Sequence, residues 1–386
     1  MCPMQSAMRP HSPLPRSAAA AALGLMFGLT AAAPAAPRPA RTSGSHAARP
    51  RFVTRVPTAA DLYNRSLDAD DHFSYRGRQV TTYWLSGRAV AVIVSHLAVN
   101  LRRLDYIAPE RLQGRKSISN SRERWEYDPR RRLLYHYRLA PDADAVADAA
   151  TAYALLKTNY LVAVAPQKQT YDNRKVFLLA IKRRRSGTLA RRLWIDAATG
   201  LVLKRESYRE AYEDRKLAAK LAVTVAYADI NFRPRLTRAE FDPARLARRP
   251  GVRVVEQKRD PEGPIPVASV PRQLGGAWLT PASLAGYRLV GAALTSGRRP
   301  LLHLRYSDGL NLVSLFEQRR TQTRQPTRVP GTMRPLRVGS ASGHVVSHAS
   351  LTAINWDTAA FNLTLMGEIA QKTLQQLAAA VGDRRP

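Results

Sequence analysis

The chain has 386 residues, 45% hydrophobic and 23% charged, which is enough for two domains that each bury a core and excludes a single small module. Its formal charge of +32 favours an anionic partner, although arginine-rich coding in an alanine-rich chain would produce the same excess. The only cysteine, Cys2, precedes an apolar run and would leave with it, so no disulfide is expected in the mature protein.

Arg9 and Arg16 stand ahead of an uncharged, alanine-rich stretch from Ser17 to Ala36, the order of a secretory signal peptide, so residues 1–36 predict export. A membrane anchor is the alternative, but the run is weakly hydrophobic beside the roughly 20 strongly apolar residues of a span. Cleavage would remove Arg9 and Arg16 and lower the charge from +32 to +30, since that segment holds no Asp or Glu. Cys2 lies too early for a lipoprotein anchor. Residues 37–57 are rich in Pro, Arg and Ala and predict a disordered leader.

Thr58 can cap a helix to about Asp71, with Leu62, Tyr63 and Leu67 on one side. Strand patterns follow over 73–84, 89–96, 101–107, 122–127 and 133–139. The alanine-rich 143–156 reads as an inserted helix, after which strands resume over 160–165, 174–182, 190–196, 201–208 and 217–230. These elements make residues 58–245 a curved antiparallel sheet, a half-barrel with helices over its concave face. Five prolines between Pro250 and Pro271 mark 246–275 as a linker. Residues 276–386 read as a smaller α+β domain, with strands over 287–290, 301–306, 310–317, 343–348, 351–355 and 361–366 and a last helix over 369–381. The fold class is therefore α+β.

Chemistry has no visible seat. His344 and His348 would share one helix face, but Val345 and Val346 between them favour a strand. That would set them roughly 13 Å apart at about 3.3 Å per residue, too far for one metal ion. Ser307-Asp308-Gly309 reads as a hairpin turn between apolar strands, not a nucleophile beside a carboxylate. No phosphate-cradling glycine loop or nucleophile elbow is present. No catalytic residue, metal or cofactor is expected. Lys182, Arg183, Arg184 and Arg185 form a basic hairpin tip, which is either a solvated loop or a finger for phosphate or carboxylate.

The run from Leu193 to Arg205 places Asp196 and Gly200 between two apolar strands, where they suit a tight turn. It resembles the hairpin of the LolA-like fold in MucB/RseB-type sigma-E regulatory proteins. Segments His72 to Gly77, Val94 to His96, Arg111 to Gly114 and Asn159 to Arg174 are similar to that family in the same order. So are His303 to Leu310, Val313 to Phe316 and Leu365 to Ile369 of the second domain. Asp172-Asn173 departs from the Ala-Gly pair usual there. The resemblance implies a periplasmic, non-enzymatic regulator that holds the periplasmic segment of a membrane-bound anti-sigma factor and senses lipid, lipoprotein or lipopolysaccharide. Trp194, Tyr160, Leu203 and Tyr208 are the candidate residues for a lipid cavity in the half-barrel. A lipid or lipoprotein carrier and a polyanion-binding envelope protein remain open as alternatives. Nucleic acid is disfavoured by export, and self-association is left open.

Overall fold

The computed structural model describes residues 56–98, 100–138, 149–213, 216–257, 262–275, 277–295, 299–320, 333–348 and 351–382. The expected signal peptide and all but the last two residues of the leader lie outside these. The first helix, α1 (Ala59–His72), starts where its cap predicts. Thr58 Oγ1 accepts from Asp61 N at 3.1 Å, and the Asp61 carboxylate accepts from Thr58 N at 3.3 Å.

Thirteen strands follow in the first sheet. In chain order they are β1 (Tyr75–Tyr83), β2 (Arg88–Leu97), β3 (Leu101–Ala108), β4 (Lys116–Ser119), β5 (Glu123–Asp128) and β6 (Leu133–Arg138). After helix α2 (Ala149–Asn159) come β7 (Tyr160–Val164), β8 (Gln169–Tyr171), β9 (Arg174–Arg183), β10 (Leu189–Asp196), β11 (Val202–Glu213), β12 (Lys216–Asn231) and β13 (Arg253–Gln257). Their order is β13-β6-β5-β4-β3-β2-β1-β12-β11-β10-β9-β7, with β8 on β9. All neighbours are antiparallel except β13 beside β6, and the curved sheet stays open. The second sheet has nine strands: β14 (Glu262–Ile265), β15 (Ser283–Leu284), β16 (Tyr287–Thr295), β17 (Leu301–Ser307), β18 (Leu312–Arg319), β19 (Arg334–Val338), β20 (Ala341–His348), β21 (Leu351–Asp357) and β22 (Phe361–Gly367). Helix α3 (Gln371–Gly382) covers it.

Differences from the sequence reading have local causes. The inserted helix is described only from Ala149 and runs on to Asn159, three residues past the expected end; its expected start lies outside the described residues. β4 has one buried apolar residue, Ile118, and so lacks alternation; it exists because β3 and β5 pair with it on both sides. The stretch read as a linker carries two strands, β13 on the first sheet and β14 on the second. Asp172 (φ 47°) and Asn173 (φ 58°) form the two-residue turn between β8 and β9. Both residue types tolerate the left-handed region, so this hairpin needs no glycine. His344 and His348 lie on β20, as their apolar neighbours imply.

Burial follows the two sheets. Leu62 and Tyr63 of α1 and Ala152 and Leu156 of α2 pack on Phe177, Leu179, Ile181, Leu193 and Ile195, covering one face of β9 and β10. In the second sheet Leu304, Leu315 and Leu365 pack with Leu374, Leu377 and Val381 of α3. One carboxyl is sealed in that core. Glu317 is fully buried, accepts from Leu279 N at 2.9 Å through Oε2, and has no partner for Oε1. Burial pushes it up from 4.5 to about 8, against the pull of the Leu279 amide. A carboxyl whose folded value is raised gives stability that is complete below the unfolded value and lost as pH rises through the folded one. The wild type should therefore lose stability between pH 4.5 and about 8. Glu317→Gln should be flatter over that window and melt higher than wild type at its upper end. Thermal melts at both ends check this, and equal pH slopes for the two proteins would refute it.

Candidate functional site

The turn that carries the family resemblance is a structural clamp. Asp196 is buried, and its Oδ1 accepts from Thr199 N and Thr199 Oγ1, both at 2.8 Å. Arg174 Nε donates to Oδ2 at 2.6 Å. Gly200 has φ 83°, and a Cβ there would meet Arg65 O of α1 at 3.1 Å. Asp196 thus ties the turn to itself and to β9, while Gly200 lets the turn sit against α1, and both positions are structural.

Of the candidate lipid-binding residues only two come together: Trp194 packs against the apolar cluster that holds Leu203. Tyr160 and Leu203 are buried in separate apolar clusters. Side chains alternate along a strand, so Trp194 and Tyr208 point away from the helix-covered face that holds Leu193. On that other face Lys204 Nζ lies 4.4 Å from the Trp194 ring, and Tyr208 donates to Glu206 at 2.5 Å. The basic tip divides as well. Arg183 donates to Leu189 O and Tyr208 O, each at 2.7 Å, and Arg184 to Lys157 O at 2.9 Å. Both therefore brace neighbouring backbone, and Lys182, Arg184 and Arg185 are exposed.

What the fold does bring together is a seam between the sheets. The β17–β18 turn docks on the first sheet's helices. Tyr160 Oη donates to Asp308 Oδ2 at 2.6 Å, Asn159 Nδ2 to Asp308 O at 2.9 Å, and Tyr63 Oη to Gly309 O at 3.1 Å. Asp308 Oδ1 also accepts from Leu310 N and Asn311 N at 2.9 and 2.7 Å. Leu310 packs into the cluster beneath α1 and α2. Burial, then the Asp308 charge, push the Tyr160 hydroxyl well above its ordinary range, so it remains a donor at neutral pH. Asp308-Gly309 is thus a turn, as the sequence implies, and also a latch that the sequence conceals.

Beside the latch lie two arginines on the helix-facing side of β10 and β11. Arg191 is opposite Ser207, and Arg205 opposite Leu193, so both share one face. Each has a buried Nε without a hydrogen-bond partner, and neither forms an ion pair with a carboxylate among the described residues. Burial and then the Arg191 charge push Arg205 down to about 10, against the pull of Glu368 and Tyr83. Arg209 is lowered by burial, and Glu368 works against this as well. Glu368 follows β22, so a second-sheet carboxylate reaches this patch across the seam. An arginine pair whose buried Nε donors lack partners is matched chemically by a carboxylate or phosphate, which takes two parallel hydrogen bonds from a guanidinium. The sequence carried a signal: Arg191 falls in the apolar phase of Leu193 and Ile195, where a lone surface residue would not.

No family model matches the chain, and no curated protein matches it. Solved structures do. MucB in complex with MucA(peri) aligns with a TM-score of 0.50 at 17% identity, covering 84% of this chain and 98% of that one. The MucA/MucB complex of Pseudomonas aeruginosa aligns with a TM-score of 0.49 at 18% identity, over 83% and 96%. A LolA-superfamily protein from Nitrosomonas europaea covers 48% of this chain and 98% of its own, with a TM-score of 0.24 at 13% identity. At such identities the likeness is one of fold, and the chain has the MucB/RseB-type fold.

Proposed function

We propose that this chain is a periplasmic, non-enzymatic regulator that holds a segment of a membrane-bound anti-sigma factor along the seam between its two sheets. The observation that carries this is the two-sheet fold, shared with a MucB seen in complex with MucA(peri). The seam adds chemical support, because Arg191 and Arg205 present buried donors that an acidic peptide side chain would satisfy. Lys182 and Arg185, at the exposed tip of the same sheet, are proposed as outer anion contacts. Residues 58–245 and 276–386 are proposed as the two domains. Release by lipid, lipoprotein or lipopolysaccharide is part of the proposal and rests on the family resemblance. It requires the ligand to favour the peptide-free state, since a ligand shifts an equilibrium only through differential affinity.

Affinity capture from envelope extracts is expected to recover a single-span anti-sigma protein and to slow proteolysis of its periplasmic segment. Repeated recovery of no such protein would sink the proposal.

A further inference from the structure

Pairing registers decide which turns share an end of the first sheet. Tyr83 lies opposite both Arg88 and Val223, Ala91 opposite Ala108, Lys116 opposite Tyr127, and Asp128 opposite Leu133. Tyr160 lies opposite Arg183, and Glu213 opposite Lys216. The turns β1–β2, β3–β4, β5–β6, β9–β10 and β11–β12 therefore line one rim.

That rim gathers exposed apolar side chains. Trp84 and Leu85, 54% and 49% exposed, form the tip of the β1–β2 turn. Ile107, Leu161, Leu217 and Val254 are the other large exposed hydrophobics on this sheet's strands, and all four sit toward the same end. Among the described residues the opposite rim exposes none. The Trp84 ring is held in place, since its Nε1 donates to Thr224 Oγ1 at 2.8 Å.

The same rim is basic. Arg88, Arg111, Arg131, Arg132, Arg185 and Lys216 are exposed on these turns. Glu110 is exposed there too and faces Arg130 at 3.8 Å. A loop kept soluble by charge has no need of an exposed Trp-Leu pair, and a soluble polyanion gives that pair nothing to enter. A membrane surface satisfies both halves, because tryptophan settles at the headgroup level while arginines meet lipid phosphates.

We propose that this rim docks on the surface of an anionic phospholipid membrane, with Trp84 and Leu85 entering the headgroup layer. No helix among the described residues is long and apolar enough to cross a membrane, so this contact is peripheral. It is independent of the anti-sigma proposal and survives that proposal's failure.

The test places one thiol at a time in the full chain, with Cys2→Ser as background. Leu85→Cys reports the rim and Ser121→Cys the exposed β4–β5 turn at the opposite end. Each is labelled with an environment-sensitive dye and mixed with vesicles of phosphatidylcholine, with or without phosphatidylglycerol. A blue shift is expected at position 85 alone, and with phosphatidylglycerol alone. Arg131→Gln with Arg132→Gln should weaken it about thirtyfold, each arginine near an anionic surface being worth about 1 kcal/mol. Every protein retains residues 1–55, so any binding through that segment is common to all and the position of the shift reads the rim. No shift at 85, equal shifts at 85 and 121, or the same shift at 85 with heparin in place of vesicles would each overturn the proposal.

Discussion

Gly309→Ala is expected to release the second sheet from the first while leaving each sheet folded. Gly309 has φ 93°, where an L side chain is strained by roughly 1–2 kcal/mol. Space is the harder constraint: a Cβ would lie 2.2 Å from Leu156 N and 2.4 Å from Leu156 Cα. Those are backbone atoms inside α2, which cannot rotate away as a side-chain tip would, so the turn must lift. Lifting breaks the bonds of Asp308 and Gly309 with Tyr160, Asn159 and Tyr63. At a net worth of about 1 kcal/mol each, and more for the charged one, the coupling lost is on the order of 3–5 kcal/mol. Calorimetry should then resolve two transitions where the wild type has one, and the 246–275 stretch should become more sensitive to protease. Asp308→Ala removes the charged partner without adding a Cβ at 309, and should split the transitions less. A single transition at the wild-type midpoint in Gly309→Ala would disprove the latch.

The second large effect concerns the arginine pair. Arg191→Gln with Arg205→Gln should stabilise the free protein and weaken its hold on an acidic partner. Two neighbouring like charges with buried, unpartnered Nε donors cost the free state, and burial together with Arg191 pushes Arg205 down to about 10 despite the pull of Glu368. Removing them should raise stability by roughly 1 kcal/mol. A charge-assisted bond is worth about 1.5–3 kcal/mol, so losing two should weaken binding about a hundredfold or more. Opposite signs in the two measurements distinguish a binding site from a structural one. Reduced melting temperature with unchanged affinity for the anti-sigma segment would make the pair structural. Arg205→Lys keeps charge but not the planar fork, and should recover only part of the affinity.

The amino-acid sequence by itself determined the elements whose information is local. Thr58 and Asp61 carry both halves of the cap that starts α1, and Asp196 and Gly200 carry the chemistry of their turn. Strand-like runs placed β9 and β10, period-two alternation placed β12, and the order of family-like segments along the chain led to the MucB/RseB-type fold that the structure has. Only the tertiary structure decided what depends on a neighbour distant in sequence. β4 and β13 are strands because other strands pair with them, which no run of a few residues can encode. Bulges and strand phase put Trp194 and Tyr208 on one face and Arg191 and Arg205 on the other, although all four belong to the same pair of strands. Asp308 becomes a latch only because Tyr160 and Asn159 arrive beside it from 148 and 149 residues away. Propensity, caps and turns act over a few residues and can be read locally; burial, charge compensation and shared rims are sums over packed surroundings and exist only once the chain has folded.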